Sequence, residues 1–379
     1  MTSSKMLDKP LLVFLVAGFI SLIFPVGALP EGGASVSWLE IGGPLGLIVL
    51  SLIVAAGQFL RRKNTLVMSL VVTAGVFAGG TGALRAIQPG LDQGIEAPGL
   101  WLFILGLGFF AWRAMAMTSY HAIHNNALKL LVPTLFGVWL LFLWQMITTG
   151  FQIPSVLLPS PAQIGRAIAG NTDILAADFY QTYVKSVLSG FAIGCGSGFI
   201  VAILVDRIPF LQRGLLPLGS LVSAIPIVGI APVMVMWFGF DWQSKAAVIV
   251  VMTFFPMLVN TLAGLEATSH LEKDLMRSYA ASYIQTLIFV RLPNALPFIF
   301  NALKINSTLA LIGAIVAEFF GTPIVGMGFR ISTEVGRMNV DVVWASITVA
   351  AIAGSVSYGL LALLERSLTF WHPSYRSAR

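Results

Sequence analysis

Long uninterrupted runs of apolar residues recur along the chain and predict membrane-spanning α-helices. A helix needs about 20 mostly apolar residues to cross a bilayer. Ten runs meet this need: 11–29, 44–60, 65–84, 99–117, 130–149, 183–205, 215–237, 245–264, 295–318 and 343–364. The runs are continuous, whereas strands of a membrane barrel alternate between apolar and polar positions. We therefore predict an all-α polytopic membrane protein.

The composition supports this prediction and excludes a soluble protein. Hydrophobic residues make up 57% of the 379 residues and charged residues only 10%, against about 25% charged in an average soluble domain. The net charge of +6 would be compatible with nucleic-acid binding in a soluble protein. Here the basic residues stand between apolar runs, so we assign them to topology and to anionic membrane lipid, and we expect no nucleic-acid partner.

The distribution of lysine and arginine predicts the orientation. With both the N- and C-termini in the cytoplasm, most of the 22 basic residues fall in cytoplasmic ends and links, as the positive-inside rule requires. The first run, 11–29, has a secretory signal peptide as its alternative. It is longer than the usual apolar core of about 7–15 residues, so we favour a retained helix.

The chain divides into two blocks of different character. Residues 1–127 hold four predicted helices with short links, and residues 128–379 hold six predicted helices with long links. In the link 150–182, Ser160 before Pro161 predicts the N-cap of a short surface helix. In the next span Gly190, Gly194 and Gly198 share one helix face, which predicts close approach of a neighbouring helix.

The link 265–294 is the longest predicted cytoplasmic link of the second block. Its pattern predicts two short amphipathic helices with a tight bend at Ala280-Ala281, and the second helix, 283–291, is stopped by Pro293. Such an element is too polar to span a membrane. We interpret it as an apolar docking element for a soluble cytoplasmic partner; the alternative is a pair of helices lying on the lipid surface.

This link resembles the EAA coupling loop of ABC-importer permeases. Asp274-Leu275-Met276 stands at the EAA triplet, Ala280 at the conserved glycine and Val290-Arg291-Leu292-Pro293 at the I-x-L-P motif. Further motifs between about 150 and 375 resemble permeases of the nitrate/sulfonate/taurine type. These are Leu158-Pro159-Ser160-Pro161, 225–232, Trp237-Phe238-Gly239-Phe240, 254–261, 315–321 and Trp371-His372-Pro373-Ser374-Tyr375.

The resemblance implies a type I ABC-importer permease core of six helices, preceded here by about four extra transmembrane helices. It implies a bacterial inner-membrane importer for a small polar solute, either a nitrate-, sulfonate- or taurine-like anion or a pyrimidine- or riboflavin-type vitamin precursor. The implied partners are a dimer of ABC ATPase subunits, a second permease copy and an extracytoplasmic solute-binding protein. The chain has no G-x-x-x-x-G-K-[ST] loop, so we expect no enzymatic activity and no bound cofactor, with ATP and Mg²⁺ held by the ATPase.

The resemblance also assigns roles to individual residues. The implied ATPase-coupling residues are Asp274, Leu275, Met276, Arg277, Tyr279, Ala280, Ala281, Leu292 and Pro293. The outer link 320–342, with Arg330, Glu334 and Arg337, would meet the binding protein together with residues 155–170. No constellation of catalytic or metal-ligating residues is apparent in the sequence, and we expect no metal site.

Polar residues within the predicted spans are candidates for the solute path. Lys304, Thr308 and Glu318 recur on one helical stripe. The full set of candidates is Ser223, Asn260, Asn301, Lys304, Asn306, Thr308 and Glu318. The alternative is that these groups snorkel to the membrane surface or form helix–helix hydrogen bonds.

Two other functions remain open on the sequence alone. A secondary transporter driven by an ion gradient would need coupling carboxylates near the membrane midplane, and the only acid of the second block that could be buried, Glu318, lies at a span end. A non-transporting scaffold or sensor would leave the link 265–294 unexplained. An intramembrane enzyme is the weakest alternative, because no catalytic constellation is apparent.

Overall fold

The computed structural model describes residues 9–24, 37, 39, 43–61, 66–87, 98–122, 130–223, 225–321 and 323–371. Within these residues the regular structure is helical and contains no strand, which confirms the all-α prediction. The helices are α1 (Lys9–Ser21), α2 (Gly43–Arg61), α3 (Leu66–Ile87), α4 (Pro98–Ala122), α5 (Leu131–Gly150), α6 (Pro161–Gly170), α7 (Thr172–Arg207), α8 (Pro209–Ser223), α9 (Ile227–Phe238), α10 (Trp242–Glu266), α11 (His270–Ser278), α12 (Tyr283–Glu318), α13 (Met327–Gly336) and α14 (Val340–Leu368).

Seven of the described helices are long and apolar enough to cross a membrane, namely α3, α4, α5, α7, α10, α12 and α14. Helices α1, α2 and α9 are apolar but shorter. Helices α7 and α12 contain 36 residues each and begin well before the predicted spans 183–205 and 295–318. Each of the two includes a π-helical stretch, at Tyr180–Val187 and at Leu287–Arg291.

The predicted single span 215–237 is wrong. Helix α8 ends at Ser223 and α9 begins at Ile227, so two short helices replace the one that was expected. Pro226 caps α9 with an extended ψ of 128°. A proline has no N–H for the helical ladder, and it also disfavours helical geometry at the residue before it, here Ile225.

The chain forms two compact units, residues 1–163 and 164–379. In the first unit, α1 packs on α4 and α2 packs on α3. The ring of Phe14 in α1 stacks on that of Phe110 in α4, with the ring centroids 4.6 Å apart. The predicted boundary between residues 127 and 128 stays a prediction, because it falls among residues outside the described part of the chain.

Helix α10 is the centre of the second unit and packs on α7 and on α12. The predicted glycine face of α7 lies against α10. A Cβ atom added to Gly198 would lie 2.5 Å from the carbonyl oxygen of Phe254, and one added to Gly190 would lie 2.9 Å from that of Ala246. The two backbones therefore approach so closely that only glycine fits at these positions, as the sequence predicted.

The N-terminal cap predicted at Ser160 is confirmed. The Ser160 hydroxyl accepts a hydrogen bond from the backbone N–H of Gln163, and the Gln163 side chain accepts one from the Ser160 N–H. This reciprocal pair supplies two of the bonds that the first turn of a helix lacks. Helix α6 therefore begins at Pro161, as expected.

Replacing Gly198 with Ala should destabilise the second unit, whereas replacing Gly196 with Ala should not. At position 198 the new methyl group would strike backbone, and overpacking of this kind costs about 1–3 kcal/mol. At position 196 a Cβ meets nothing within 4 Å, and alanine is the better helix former. Thermal unfolding of both variants in the same detergent measures the difference. Equal melting temperatures would contradict the close contact.

Candidate functional site

Helix α11, at the centre of the predicted coupling link, begins with a capping box. The Ser269 hydroxyl accepts from the Glu272 N–H, and the Glu272 carboxylate accepts from the Ser269 N–H and from the Asn294 amide. Burial acts to raise the pKa of Glu272, but the hydrogen bonds from Ser269 and Asn294 outweigh it and hold this pKa below its usual value. The charged carboxylate thus stabilises the start of the helix.

The predicted bend at Ala280-Ala281 is present. The backbone N–H of Ala281 donates to the carbonyl oxygen of Met276 at 3.0 Å, and Ala280 has a φ of 51°. This left-handed conformation costs about 1–2 kcal/mol for a residue with a Cβ atom, whereas glycine adopts it freely. The motif of the EAA coupling loop has a glycine at this position. The left-handed backbone conformation gives a physical reason for a glycine there.

The surface of α11 carries exposed apolar side chains. No residue of this helix is buried. Leu271 is 83% exposed and Tyr279, just beyond the helix, is 76% exposed, with Leu275 also exposed. On the same turns Asp274 and Arg277 form an exposed ion pair of 3.1 Å. The link therefore presents a small apolar surface with adjacent charges of both signs.

The predicted stop at Pro293 is wrong, although the predicted second helix does begin at Tyr283. A second capping box, between Ser282 and Gln285, starts it, and the helix then continues through Leu292 and Pro293 to Glu318. Pro293 lies in the first turn after the π-helical stretch Leu287–Arg291. The missing N–H of proline would interrupt a regular hydrogen-bond ladder. Because the helix is widened just before Pro293, it continues past the proline and does not end there.

Arg291 ties this second helix to two other helix ends. Its guanidinium donates to both carboxylate oxygens of Asp206 at 2.6 Å and to the backbone carbonyl of Leu265. The hydroxyl of Tyr283 donates to the same Asp206 at 2.8 Å. We call Asp206, Tyr283 and Arg291 the arginine clamp. The sequence did not identify Asp206 and Tyr283 as partners. Its one signal for this contact was Arg291, an isolated arginine between apolar residues.

A buried polar cluster forms around Glu318. The Glu318 carboxylate accepts from the Thr182 hydroxyl at 2.7 Å and from the Gly328 N–H at 2.6 Å. The Thr182 hydroxyl in turn accepts from the Met327 N–H. Both Thr182 and Glu318 are buried. The backbone that leads into α13 is therefore bound to side chains of α7 and α12.

Three more charged residues complete this cluster. Buried Asp178 accepts from the Gly326 N–H and from the Arg330 guanidinium, both at 2.8 Å. The hydrogen bond that Arg330 donates to Asp178 raises the pKa of Arg330. Buried Lys245 donates to the carbonyl oxygens of Phe240 and Gly321. The segment 321–328 is thus held by charged side chains at several points.

Most of the predicted solute-path residues have internal partners. Lys304 forms an ion pair of 2.7 Å with Glu365, and Asn306 donates to Cys195 and to the Thr253 carbonyl. Asn260 donates to the Pro256 carbonyl of its own helix. These contacts, with those of Glu318, are the helix–helix and intrahelical bonds of the alternative interpretation.

Two of the predicted path residues have exposed side chains. Asn301 and Thr308 lie two turns apart on α12 and are both exposed, and the Thr308 hydroxyl also bonds the Ile305 carbonyl. The side chain of Ser223 lies outside the described part of the structure. That any of the seven residues contacts solute stays a prediction.

The predicted binding-protein surface is only partly exposed. Glu334 is buried and accepts from Asn339 at 2.7 Å and from Arg337 at 3.2 Å. The side chain of Arg330 forms an ion pair with Asp178. Of the three charged residues expected there, Arg337 alone remains mostly exposed.

The geometry is that of a polytopic helical membrane protein with an exposed amphipathic helix between two spans. Comparison with known proteins identifies the family to which such a chain belongs. Residues 190–370 match the family model of the binding-protein-dependent transport system inner membrane component. The chain is 31% identical over 251 residues to the formylaminopyrimidine transport permease protein ThiX of Halalkalibacterium halodurans, an alignment that covers 65% of this chain and 98% of ThiX.

Other relatives are named for the transport of different solutes. The riboflavin transport system permease protein RibX of Chloroflexus aurantiacus is 30% identical over 62% of this chain and 88% of its own length. The taurine transport system permease protein TauC of Escherichia coli is 30% identical over 62% of this chain and 86% of its own length. The chain belongs to the family of binding-protein-dependent transport permeases. It is a membrane-spanning permease subunit of an ABC importer, which confirms the resemblance drawn from the coupling-loop motifs.

Replacing Thr182 with Val should destabilise the protein more than replacing Thr253 with Val. Both threonines are fully buried. Thr182 bonds one carboxylate oxygen of Glu318 in α12 and the Met327 N–H of α13. Valine therefore removes the partner of both atoms, although the other Glu318 oxygen keeps its bond to Gly328. Thr253, by contrast, donates to the Ile249 carbonyl of its own helix. A buried unsatisfied group costs about 1–3 kcal/mol. Thermal unfolding in detergent compares the two variants, and an equal loss would show that the Glu318 cluster adds no stability.

Proposed function

We propose that this permease imports a small polar solute across the bacterial inner membrane, with both termini in the cytoplasm. An extracytoplasmic binding protein delivers the solute, and a separate dimer of ABC ATPase subunits hydrolyses ATP with Mg²⁺. The permease works as a pair of copies, and the ATPase docks on helix α11 within the link 265–294. The observation that carries the proposal is the exposed apolar surface of α11 on a short helix with a defined bend.

The construction of α11 favours a protein partner in the cytoplasm. The helix is capped at its start and closed by a hydrogen-bonded bend, so its exposed side chains are held in one arrangement. Helix-in-groove recognition uses apolar side chains spaced three or four residues apart, and Leu271, Leu275 and Tyr279 have that spacing. The chain itself lacks a phosphate-binding loop.

The charges of α11 argue against a helix that merely lies on lipid. Lipid-surface helices carry mainly Lys and Arg on the polar face. Helix α11 has Glu272 and Asp274 as well as Lys273 and Arg277, so its acids and bases are balanced. An anionic membrane would gain little from this helix, whereas a protein groove with its own charges can use both signs.

The relatives support a choice of solute classes to test. They are named for transport of formylaminopyrimidine, riboflavin and taurine. We propose a pyrimidine- or riboflavin-type vitamin precursor as the first class to test, because the alignment with the formylaminopyrimidine permease spans 98% of that protein. Sulfonates such as taurine form the second class.

Reconstitution of the assembled importer tests this function. The permease, its ATPase and its binding protein are placed in liposomes, and uptake of labelled formylaminopyrimidine, riboflavin and taurine is measured. Uptake should require ATP, the ATPase and the binding protein together. Uptake driven by a proton or sodium gradient without the ATPase would instead identify a secondary transporter, and the absence of ATPase binding would support a scaffold.

Substitution of Ala280 tests the docking element. Ala280→Val should abolish copurification of the ATPase, because a β-branched side chain is strongly disfavoured in the left-handed conformation that the bend requires. Ala280→Gly should retain it, because glycine adopts this conformation without strain. The permease yield in the membrane controls for insertion. Wild-type recovery of the ATPase with Ala280→Val would contradict the proposal.

Leu275→Glu, on the face of α11, completes the test because it leaves the bend intact. It replaces an exposed apolar side chain with a charge, so it should also weaken ATPase association. Retention of the ATPase by this variant at wild-type yield would show that the apolar surface is not the contact.

A further inference from the structure

We propose that the arginine clamp is the positioning element that carries movement of α11 into the membrane-spanning helices. The inference rests on the proposed docking of an ATPase at α11 and assigns the route by which that docking acts on the gate. Arg291 is the central residue, and Asp206 and Tyr283 hold it. None of the three lies on the exposed surface of α11, so their role is separate from docking itself.

The clamp joins the three helix ends that surround the link. Asp206 is at the end of α7, Leu265 is at the end of α10, and Arg291 and Tyr283 are near the start of α12. The Arg291 side chain is 13% exposed and that of Asp206 is 7% exposed. One guanidinium therefore binds a carboxylate of α7 and the terminal carbonyl region of α10 at the same time.

The bidentate geometry makes this connection stiff in angle as well as in length. Both terminal nitrogens of Arg291 lie 2.6 Å from separate oxygens of Asp206. A planar guanidinium paired in this way fixes the orientation of both groups, whereas a lysine ammonium makes a point contact that can pivot. The hydroxyl of Tyr283 binds the same carboxylate and restricts it further.

Movement of α11 has few other routes into the protein. This helix has no buried residue of its own. It joins α10 through residues 267–269 and α12 through residues 279–282. The Glu272 carboxylate also accepts a hydrogen bond from the Asn294 amide of α12. Force on α11 therefore reaches the bundle at the end of α10 and in the first turns of α12, on either side of the clamp.

The π-helical stretch at the start of α12 makes a stiff connection necessary. Residues Leu287–Arg291 form a widened turn, and such turns depart from the regular hydrogen-bond ladder. Without the clamp this turn could deform and absorb the displacement of α11. With Arg291 bound to Asp206, the start of α12 must move together with the ends of α7 and α10.

The chain provides a matched control in the ion pair of Lys304 with Glu365. Its N–O distance is 2.7 Å and its side chains are 17% and 9% exposed, close to the values of the clamp. It joins α12 to α14, and neither residue belongs to the clamp. Glu365→Gln thus removes a buried ion pair of similar kind without touching the clamp.

The experiment uses the full complex of permease, ATPase and binding protein in lipid nanodiscs and in liposomes. The variants are Arg291→Lys, Asp206→Asn and the control Glu365→Gln. Three quantities are measured: ATPase copurification, stimulation of ATP hydrolysis by solute-loaded binding protein, and solute transported per ATP hydrolysed. A general loss of stability lowers the yield and melting temperature, whereas loss of the clamp changes the transport ratio.

The two clamp variants should retain the ATPase at wild-type stoichiometry. Their stimulation and their transport per ATP should fall by at least about fivefold, the lower range of ordinary coupling between sites. Glu365→Gln should keep transport per ATP within about twofold of wild type. Tyr283→Phe, which removes a single hydrogen bond and retains the ring, supplies a milder variant if the charge changes prevent folding, and it should reduce transport per ATP by about twofold to threefold.

The outcomes separate this inference from the proposed function. If the ATPase binds the clamp variants and transport per ATP is unchanged, the clamp has no transmitting role, although docking at α11 still holds. If Glu365→Gln lowers the ratio as much as Arg291→Lys, the effect is general destabilisation and the inference is wrong. If the wild-type permease binds no ATPase, the proposed function fails before the clamp is tested.

Discussion

The absence of water inside a bilayer is the constraint on which the rest of this structure depends. A polar group there must find a partner within the protein, because an unsatisfied one costs several kcal/mol. Helices satisfy their own backbones, so the informative contacts are those of the buried side chains. The second unit carries Glu318 and Arg291 in its helices, and both are bound by groups from other elements. The polar residues therefore determine which helices are held together and where.

These polar contacts bind the same two helices at both ends. Helices α7 and α12 run in opposite directions, so that Thr182 near the start of α7 meets Glu318 at the end of α12, and Asp206 at the end of α7 meets Arg291 near the start of α12. Between these contacts, helix α10 packs on both, with glycines of α7 allowing its backbone to approach. Close packing of small residues and two polar connections thus act on one three-helix core. A core of this kind suits the rigid-body motion that the proposed docking of an ATPase requires.

The sequence was informative wherever the cause was local. Apolar runs identified the spans, glycines at four-residue spacing identified a helix contact, and Ser160 before Pro161 identified a cap. Predictions failed where two local signals competed. Proline ended the predicted span at Pro226 but was accommodated at Pro293 by a widened turn. Partners could not be predicted at all where the chain separates them, as Thr182 and Glu318 are separated by 136 residues, because only the packed helices bring them together.

The two π-helical stretches have a common relation to these connections. One contains Thr182 and the other contains Arg291, so each of the two helices has its widened turn at one of the two polar contacts. An extra residue in a turn changes the direction in which the following side chains point, and π-helical turns are frequent at functional sites. The widened turns allow α7 and α12 to keep their apolar packing along the bilayer while Thr182 and Arg291 point toward their partners. The energetic cost of each irregular turn is offset by a bonded charge, Glu318 or Arg291, that would otherwise be buried alone.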